Sequence, residues 1–273
     1  MTLSLHQTTS AAAGYRKSLE GWAQAGIKSV ELTNTVLEEF LKSEDLAAAG
    51  RVLKDLGLTA VQGAVGVTGL WEPNPNRTAA FSELKKRCEM YASLGLKSVY
   101  ATTVCTVKVA PDDYRAAVDH LRAAGEIARH FSLSFRVEFV RSSTFISTLP
   151  TLLRLTREAA HPNVAPMLDC YHFFSGLSKM EDLDAVRPGE IAHVHFQDAP
   201  DMPRELLDTV TRVIPGDGIC PLVAILRKLA GKGYLGPLSV ELFLPKFQQA
   251  DPGEMAREIR RKSEAVMLKA GVL

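Results

Sequence analysis

The chain alternates short apolar runs with longer amphipathic stretches from one end to the other, and this alternation constrains its fold more than any other feature. The short runs are rich in β-branched and aromatic residues, which is typical of strands, and the longer stretches repeat apolar residues at helical spacing. Strands that are each followed by a helix are expected to run parallel, because parallel neighbours need a crossover connection. The sequence therefore predicts an α/β protein.

Eight strand–helix units fit into the 273 residues. The predicted strands are Leu3–Thr9, Ser29–Asn34, Leu58–Val65, Ser98–Val104, Leu133–Val140, Asn163–Asp169, Ile191–Asp198 and Leu238–Phe243. The predicted helices are Tyr15–Gln24, Leu37–Leu56, Arg77–Leu94, Tyr114–Ala128, Leu149–Ala160, Met180–Val186, Pro221–Leu229 and Pro252–Leu268. A count of eight in a chain of this length predicts a (β/α)8 TIM barrel, which we expect to form a single domain over residues 1–273.

An open, doubly wound sheet is the main rival fold. Such a sheet usually carries a glycine-rich phosphate turn after its first strand, and residues 8–11 (Thr-Thr-Ser-Ala) contain no glycine. The closed barrel is therefore favoured.

Composition narrows the function classes. The formal net charge is +1, so no global field attracts nucleic acid or an anionic membrane, and we expect neither as a partner. No apolar run has the length of a membrane span, and no secretion signal precedes the first strand. The four cysteines lie far apart without a C-x-x-C pair, which indicates reduced thiols in a cytoplasmic protein.

The late strands place ionisable side chains on the inner face of the barrel. Strand residues alternate between two faces, so Arg136 and Glu138 share one face, and His193 and His195 share another. The same parity applies to the last strand. One ionisable group then lies near the carboxyl end of each of four consecutive strands, where barrel enzymes hold their active sites: Glu138, Asp169, His195 and Glu241.

Three carboxylates and one imidazole around one cavity predict a divalent-metal site. Carboxylates that face each other in a cavity of low dielectric constant are costly unless a cation neutralises them. A single imidazole among oxygen ligands suits Mn²⁺ best, with Mg²⁺, Co²⁺ and Zn²⁺ as alternatives. We therefore expect one divalent ion bound by all four residues.

Several short motifs resemble the xylose-isomerase-like TIM barrel superfamily. This group includes sugar and sugar-phosphate isomerases, ketose 3-epimerases, hydroxypyruvate isomerases, keto-inositol dehydratases and endonuclease IV. Each motif is short, but their order along successive strands covers nearly the whole chain. The motifs are Ser29–Leu32, Val137–Glu138, Leu168–His172, His193–His195, Pro215–Gly218 and Val240–Glu241.

The resemblance implies roles for individual residues. In epimerase-like members, a Glu, an Asp, a His and a second Glu bind the metal, and the two glutamates also act as acid and base. These catalytic roles would fall to Glu138 and Glu241. A histidine three residues after the aspartate matches His172, which would contact substrate oxygens. An arginine in the loop after strand seven has the same role, and Arg204 is the nearest match.

Two further residues are candidates for substrate contact on local grounds. His6 has the parity of an inward residue on the first strand, although a satisfied core histidine explains it equally well. Trp71 lies in the loop after strand three, where it would form either a pocket wall or surface packing.

The leading hypothesis is a metal-dependent isomerase or epimerase of a small sugar, keto-sugar or polyol, which transfers a proton through an enediolate. A metal-dependent lyase that dehydrates a keto-inositol or cleaves a 3-keto-glycoside is the alternative, and a binding barrel without catalysis is a more distant one. Endonuclease IV is disfavoured, because strands three and four hold no histidine for additional zinc ions. Barrels of this kind often pair, so a homo-oligomer is an open expectation.

Overall fold

The computed structural model describes residues 1–273. Eight parallel strands form a closed barrel in sequence order, which confirms the predicted TIM barrel. The strands are β1 (Thr2–His6), β2 (Ser29–Thr33), β3 (Thr59–Ala64), β4 (Ser98–Thr102), β5 (Ser134–Glu138), β6 (Val164–Asp169), β7 (Val194–His195) and β8 (Pro237–Val240). Strand β1 pairs with β8 from Thr2 to Leu5, and this pairing closes the barrel.

Ten helices and three short 3₁₀ segments connect the strands. The helices are α1 (Gly14–Gln24), α2 (Asn34–Phe40), α3 (Leu46–Asp55), α4 (Arg77–Ser93), α5 (Pro111–His130), α6 (Leu149–Ala159), α7 (Cys170–Ser175), α8 (Leu222–Gly231), α9 (Pro245–Gln248) and α10 (Pro252–Ala270). The 3₁₀ segments cover Gln7–Ala13, Met180–Ala185 and Arg204–Leu206. None of the helices combines the length and the apolar character that crossing a membrane requires.

The apolar core lies between the strands and the surrounding helices. Phe135 and Val137 on β5 are fully buried in this layer, together with Trp22 of α1 and Ile259 of α10. The alternate residues of the strands point into the barrel instead, where the side chain of Arg136 contacts other polar side chains. The alternation of inward and outward residues that the sequence predicted for β5 is therefore confirmed. Its inward residues place polar groups in the barrel interior.

The single helix predicted over Leu37–Leu56 is wrong in its extent. The chain forms two helices here, because Thr33 and Asp45 each act as a helix N-cap. The Thr33 hydroxyl accepts from the backbone N–H of Val36, and the Asp45 carboxylate accepts from that of Ala48. The Thr33 cap starts α2 and the Asp45 cap starts α3. The apolar period alone did not show this second start, so it overstated the length of the helix.

All eight strands are shorter than predicted, and β7 differs most. Strand β1 stops at His6, because residues Gln7–Ala13 form a 3₁₀ segment, and β7 has only two residues. The segment that follows β7 makes hydrogen bonds outside the sheet, in which the carboxylate of Asp198 accepts from the backbone N–H groups of Ala199 and Cys220. Helices α7 and α9 were missed. Five of the six side chains of α7 are buried, so it has no polar face and no amphipathic period to detect.

Candidate metal and active site

Glu138, Asp169, His195 and Glu241 meet at the carboxyl end of the barrel, and the structure brings together all four residues that strand parity selected. One ligand atom from each lies within 4.8 Å of the others. Glu138 and Asp169 are the last residues of β5 and β6, His195 ends β7, and Glu241 follows β8 directly. The side chain of Glu241 is only 7% exposed and that of Asp169 is fully buried. The cluster is thus enclosed by the protein.

The Nδ1 atom of His195 is directed at the three carboxylates. It lies 3.0 Å from Oε1 of Glu138, 3.5 Å from Oε2 of Glu241 and 3.7 Å from Oδ2 of Asp169. Three carboxylate oxygens and one imidazole nitrogen converge on one region, and this donor set fits a divalent cation that prefers oxygen ligands. The residues present therefore form a buried metal-binding cluster of the predicted kind.

The carboxylate of Asp169 contacts both helix α7 and the metal-binding cluster. Its Oδ1 atom accepts from the backbone N–H of His172 at 2.6 Å, which caps the N-terminus of α7. Its Oδ2 atom accepts from the side-chain amide of Gln197 and faces the cluster. The cap fixes the orientation of the carboxylate, so that one oxygen remains available as a ligand.

The pKa values of the cluster reflect burial and close charges. Burial raises the pKa of Glu138 to about 8. Burial acts in the same direction on Glu241, but His6, His195 and Arg212 outweigh it and lower the pKa of that carboxyl. The pKa of His195 is raised well above its usual value, because Glu138, Glu31 and Glu241 outweigh the effect of burial. The metal-free cluster therefore holds protons where a cation would bind.

Arg212 reaches the cluster from the long loop after β7. Its guanidinium forms a buried ion pair with Glu241 and lies 3.4 Å from Oδ2 of Asp169. The guanidinium carbon stacks over the ring of Phe243 at 4.7 Å from the centroid and over that of Tyr171 at 5.4 Å. Two aromatic faces and two carboxylates thus fix the position of one arginine.

The loop that presents Arg212 is tied at its base by Asp198. The Asp198 carboxylate accepts from the backbone N–H groups of Ala199, Gly216, Gly218 and Cys220 at 2.8–3.1 Å. A Cβ atom at Gly218 would clash with the carbonyl oxygen of Ala199, so only glycine fits there. The Pro215–Gly218 motif therefore closes the loop, and the carboxylate of Asp198 is used for structure.

His6 and Tyr100 form the opposite wall of the cluster. The Nε2 atom of His6 lies 3.0 Å from Oη of Tyr100 and 3.5 Å from Oε1 of Glu241. The Nδ1 atom of His6 accepts from the backbone N–H of Thr8 at 3.3 Å, so Nε2 carries the proton. Strand parity placed His6 correctly inside the barrel. The same parity applies to Tyr100 on β4, but the prediction had not used it.

The comparisons with known proteins bear on this geometry. The sequence matches the xylose isomerase-like TIM barrel family over residues 19–265. The chain belongs to this family. Members of a family can differ in their reactions, so the match identifies the fold, and the substrate has to be inferred from the site.

Individual relatives of this xylose isomerase-like barrel have named activities. An inosose isomerase of Halalkalibacterium halodurans is 28% identical over 191 residues, which cover 69% of this chain and 68% of the relative. A 3-dehydroshikimate dehydratase of Pseudomonas putida is 32% identical over 151 residues, which cover 54% of this chain and only 23% of that protein. The crystal structure of the IOLI protein with a bound zinc atom superposes with a TM-score of 0.92 at 24% identity, over 99% of both chains.

Arg204 does not lie where the resemblance placed it. Its guanidinium donates to the backbone carbonyl oxygens of Phe174 and Gly176, and it contacts none of the four cluster residues. Arg212 occupies the cluster instead. The bridge between Asp198 and Val213 brings position 212 back to the barrel mouth. Spacing from His195 alone could not reveal this, because the loop has no regular period.

Trp71 is buried in the loop after β3. It is 2% exposed, its Nε1–H donates to the carbonyl oxygen of Thr102, and its ring packs edge-on against Phe135 at 5.8 Å. Phe135 faces the layer outside the barrel, so Trp71 belongs to the apolar core. A contact between Trp71 and the substrate stays a prediction.

Proposed function

We propose that this chain is a divalent-metal-dependent isomerase of a cyclic polyhydroxy ketone of the keto-inositol class. The observation that carries the proposal is the buried ring of Glu138, Asp169, His195 and Glu241 around one point. The likeness to inosose isomerase supports the substrate class. A keto-inositol is a small polar ring with adjacent hydroxyl and carbonyl groups, and a site lined by carboxylates, histidines and an arginine suits such a molecule.

Mn²⁺ is the cation that we propose for the site, because three carboxylates and one imidazole form an oxygen-rich set. Zn²⁺ is the first alternative, and Mg²⁺ and Co²⁺ are others. A cation bound to these residues would polarise the carbonyl of a chelated hydroxyketone, acidify the neighbouring C–H bond and keep both glutamates ionised. Asp169 and His195 serve as ligands in this proposal.

Glu138 and Glu241 serve as ligands that also move the proton. They end or follow strands that lie on different sides of the barrel, with Asp169 and His195 between them in strand order. One carboxylate takes a proton from the hydroxyl-bearing carbon beside the carbonyl. The carbonyl group moves by one position when the other carboxyl returns a proton to the former carbonyl carbon and the hydroxyl proton passes to the former carbonyl oxygen. The centre is inverted when the proton returns to the same carbon from the opposite face.

His172 and Arg212 are proposed to hold substrate oxygens. Arg212 donates to Nε2 of His172 at 2.9 Å, so the imidazole carries its proton on Nδ1. That Nδ1 atom and Nε of Arg212 are both buried and have no partner within the protein. Buried donors without partners are rare, and a substrate hydroxyl or carbonyl oxygen would satisfy both.

His6 and Tyr100 are proposed to bind the other side of the ring. Nε2 of His6 faces the phenol oxygen of Tyr100, which leaves the Tyr100 hydroxyl free to donate to a substrate oxygen. Burial raises the pKa of Tyr100 well above its usual value, so this donor is retained over the working pH range.

A dehydratase is the second candidate, and the local likeness to 3-dehydroshikimate dehydratase favours it. The same base would remove the proton beside the carbonyl. The second carboxyl would protonate a β-hydroxyl, which leaves as water with the electron pair of its C–O bond.

One experiment separates the two reactions. The metal-free protein is supplied with Mn²⁺ and then incubated separately with a keto-inositol and with 3-dehydroshikimate, and the products are analysed by mass spectrometry and NMR. The proposal expects a keto-inositol product of unchanged mass that requires the metal. Loss of one water would favour the dehydratase, and absence of any product from either substrate class would contradict both. We also retain, as proposals, a single domain over residues 1–273 and a cytoplasmic location.

A further inference from the structure

A chain of hydrogen bonds runs through the barrel interior beneath the metal-binding cluster. It starts at Arg136 on β5, continues through His193, which directly precedes β7, and Gln62 on β3, passes through Glu31 on β2 and ends at His195. Glu31, His193 and His195 are fully buried. None of the first four residues belongs to the set of three carboxylates and one imidazole that would bind the metal.

The direction of each hydrogen bond follows from Arg136. An arginine side chain only donates, and Nη1 of Arg136 lies 2.7 Å from Oε1 of Gln62 and 3.1 Å from Nδ1 of His193. Nδ1 of His193 therefore accepts, and the proton of this imidazole sits on Nε2. The amide of Gln62 is fixed in the same way, with its nitrogen directed away from Arg136.

Glu31 accepts hydrogen bonds from both His193 and Gln62. Nε2 of His193 lies 2.9 Å from Oε2 of Glu31, and Nε2 of Gln62 donates to Oε1 at 3.1 Å. Both carboxylate oxygens of Glu31 thus face an N–H donor, so this side chain acts as an acceptor on each oxygen.

Glu31 also accepts a hydrogen bond from His195. Nε2 of His195 lies 3.1 Å from Oε1 of Glu31, so this nitrogen must carry a proton. The opposite nitrogen, Nδ1, is the one that lies 3.0–3.7 Å from the carboxylates of the cluster. The donors and acceptors along the chain are thus matched: the hydrogen bonds run from Arg136 through His193 and Gln62 to Glu31, and His195 donates to Glu31 from the other side.

We propose that Arg136, His193, Gln62 and Glu31 are positioning residues that hold His195 with its proton on Nε2 and its Nδ1 lone pair directed at the metal. The proposal rests on the proposed function only in that a divalent cation is the intended ligand of the cluster. A carboxylate that accepts from the far nitrogen of a metal-binding imidazole fixes its tautomer and ring orientation and raises its basicity. Here the orienting carboxylate is itself oriented, through His193 and Gln62, by an arginine that lies two residues before Glu138 on β5.

The tautomers provide the direct test. The protein is labelled with ¹⁵N in its histidine rings and loaded with Zn²⁺, which is diamagnetic, and long-range ¹H–¹⁵N correlations are recorded; His193→Gln assigns one of the signals. We expect His195 to carry its proton on Nε2 with Nδ1 bound to the metal, and His193 to carry its proton on Nε2. A metal-bound Nε2 in His195, or a proton on Nδ1 of His193, would overturn the proposal.

Glu31→Gln tests the same point by affinity. A carboxamide cannot accept from both imidazoles at once, so one of the two Nε2–H groups loses its acceptor. We expect the dissociation constant for Mn²⁺, measured by calorimetry, to rise about 10–100-fold. Glu190→Gln is the matched control, since Glu190 is a mostly buried acid paired with Arg157 outside the barrel. An equal affinity in Glu31→Gln and Glu190→Gln would overturn the proposal.

Arg136 supplies a second pair of variants. Arg136→Met removes the donor that fixes His193, whereas Arg136→Lys keeps a positive donor. We expect weaker Mn²⁺ binding and a mixed His193 tautomer in the methionine variant, with both restored in the lysine variant. If both variants lose thermal stability equally but bind Mn²⁺ as the wild type does, the residue is only structural. A wild-type protein that binds no cation would overturn the proposed function together with this role.

Discussion

Arg212 and Glu241 form a buried ion pair beside the metal-binding cluster, and the guanidinium of Arg212 lies between two aromatic rings. A lysine cannot stack in this way or donate through a planar fork. We therefore expect Arg212→Lys to lower kcat/KM for the keto-inositol about 100-fold, in line with the loss of one fixed donor at a reacting oxygen.

Arg204→Lys is the matched control for this prediction. Arg204 donates only to backbone carbonyl oxygens at the end of α7, and a lysine retains part of that contact. Steady-state kinetics should show little change. If Arg204→Lys were as defective as Arg212→Lys, the assignment of Arg212 to the site would be wrong.

Glu138 and Glu241 should both be needed for turnover at saturating metal. A carboxamide neither takes a proton from carbon nor returns one, so Glu138→Gln and Glu241→Gln should each lower kcat by about 10²–10⁴-fold. The metal content of each variant is measured in the same samples, because both residues are also proposed ligands. A variant that retains wild-type kcat with its metal bound would show that its glutamate transfers no proton.

Metal binding should release protons and strengthen with pH. Burial raises the pKa of Glu138 to about 8, and the carboxylates around His195 raise its pKa well above the usual value. Below pH 8 the metal-free protein therefore holds a proton on each group, and a cation must displace both. We expect release of about two protons per Mn²⁺ at pH 7.

The measurement is calorimetry in buffers of different ionisation enthalpy. The apparent affinity should rise with pH up to about 8 and more slowly above it, where only His195 still holds its proton. An affinity that is independent of pH between 6 and 9, with no proton release, would contradict the charge arrangement described for the cluster.

Asp198 should stabilise the loop that carries Arg212. Asp198→Asn keeps the shape of the side chain but places an NH₂ group against backbone N–H donors, and we expect it to lower the free energy of unfolding by about 1–3 kcal/mol. Cleavage by a protease within residues 199–215 should become faster. Asp208→Asn, at an exposed position of the same loop, should cost less than about 0.5 kcal/mol. Equal losses in the two variants would contradict the role of Asp198.

The barrel and the four cluster residues could be predicted because both follow from regular patterns in the sequence: the repeat of strands and helices, and the alternation of residues along each strand. Strand parity is preserved by the pairing of β5, β6, β7 and β8, so a residue that alternates inward in the sequence also lies inward in the fold. Asp169 is the last residue of β6 and Glu241 directly follows β8, so the ends of these apolar runs in the sequence also marked their positions. His6 was also placed inside by parity, and its contact with Tyr100 followed from the closure of the barrel.

The loops could not be predicted in this way. Arg212 reaches the cluster through a turn closed by Asp198, and the contacts that close it are between backbone amides and one carboxylate. Trp71 had no strand or helix around it to fix its direction, and its burial depends on Thr102 and Phe135, which are distant in sequence. Residues of this kind are positioned by tertiary contacts that leave no periodic signal.

The central claim is that Glu138, Asp169, His195 and Glu241 bind one divalent cation, and a titration of metal-free protein with Mn²⁺ followed by electron paramagnetic resonance tests it most directly. The free ion gives a strong six-line spectrum that weakens on binding. We expect one bound Mn²⁺ per chain in the wild type and no saturable binding over the same range in Asp169→Ala. A wild-type protein that leaves the free-ion signal unchanged, or an Asp169→Ala protein that binds as tightly as the wild type, would contradict the account.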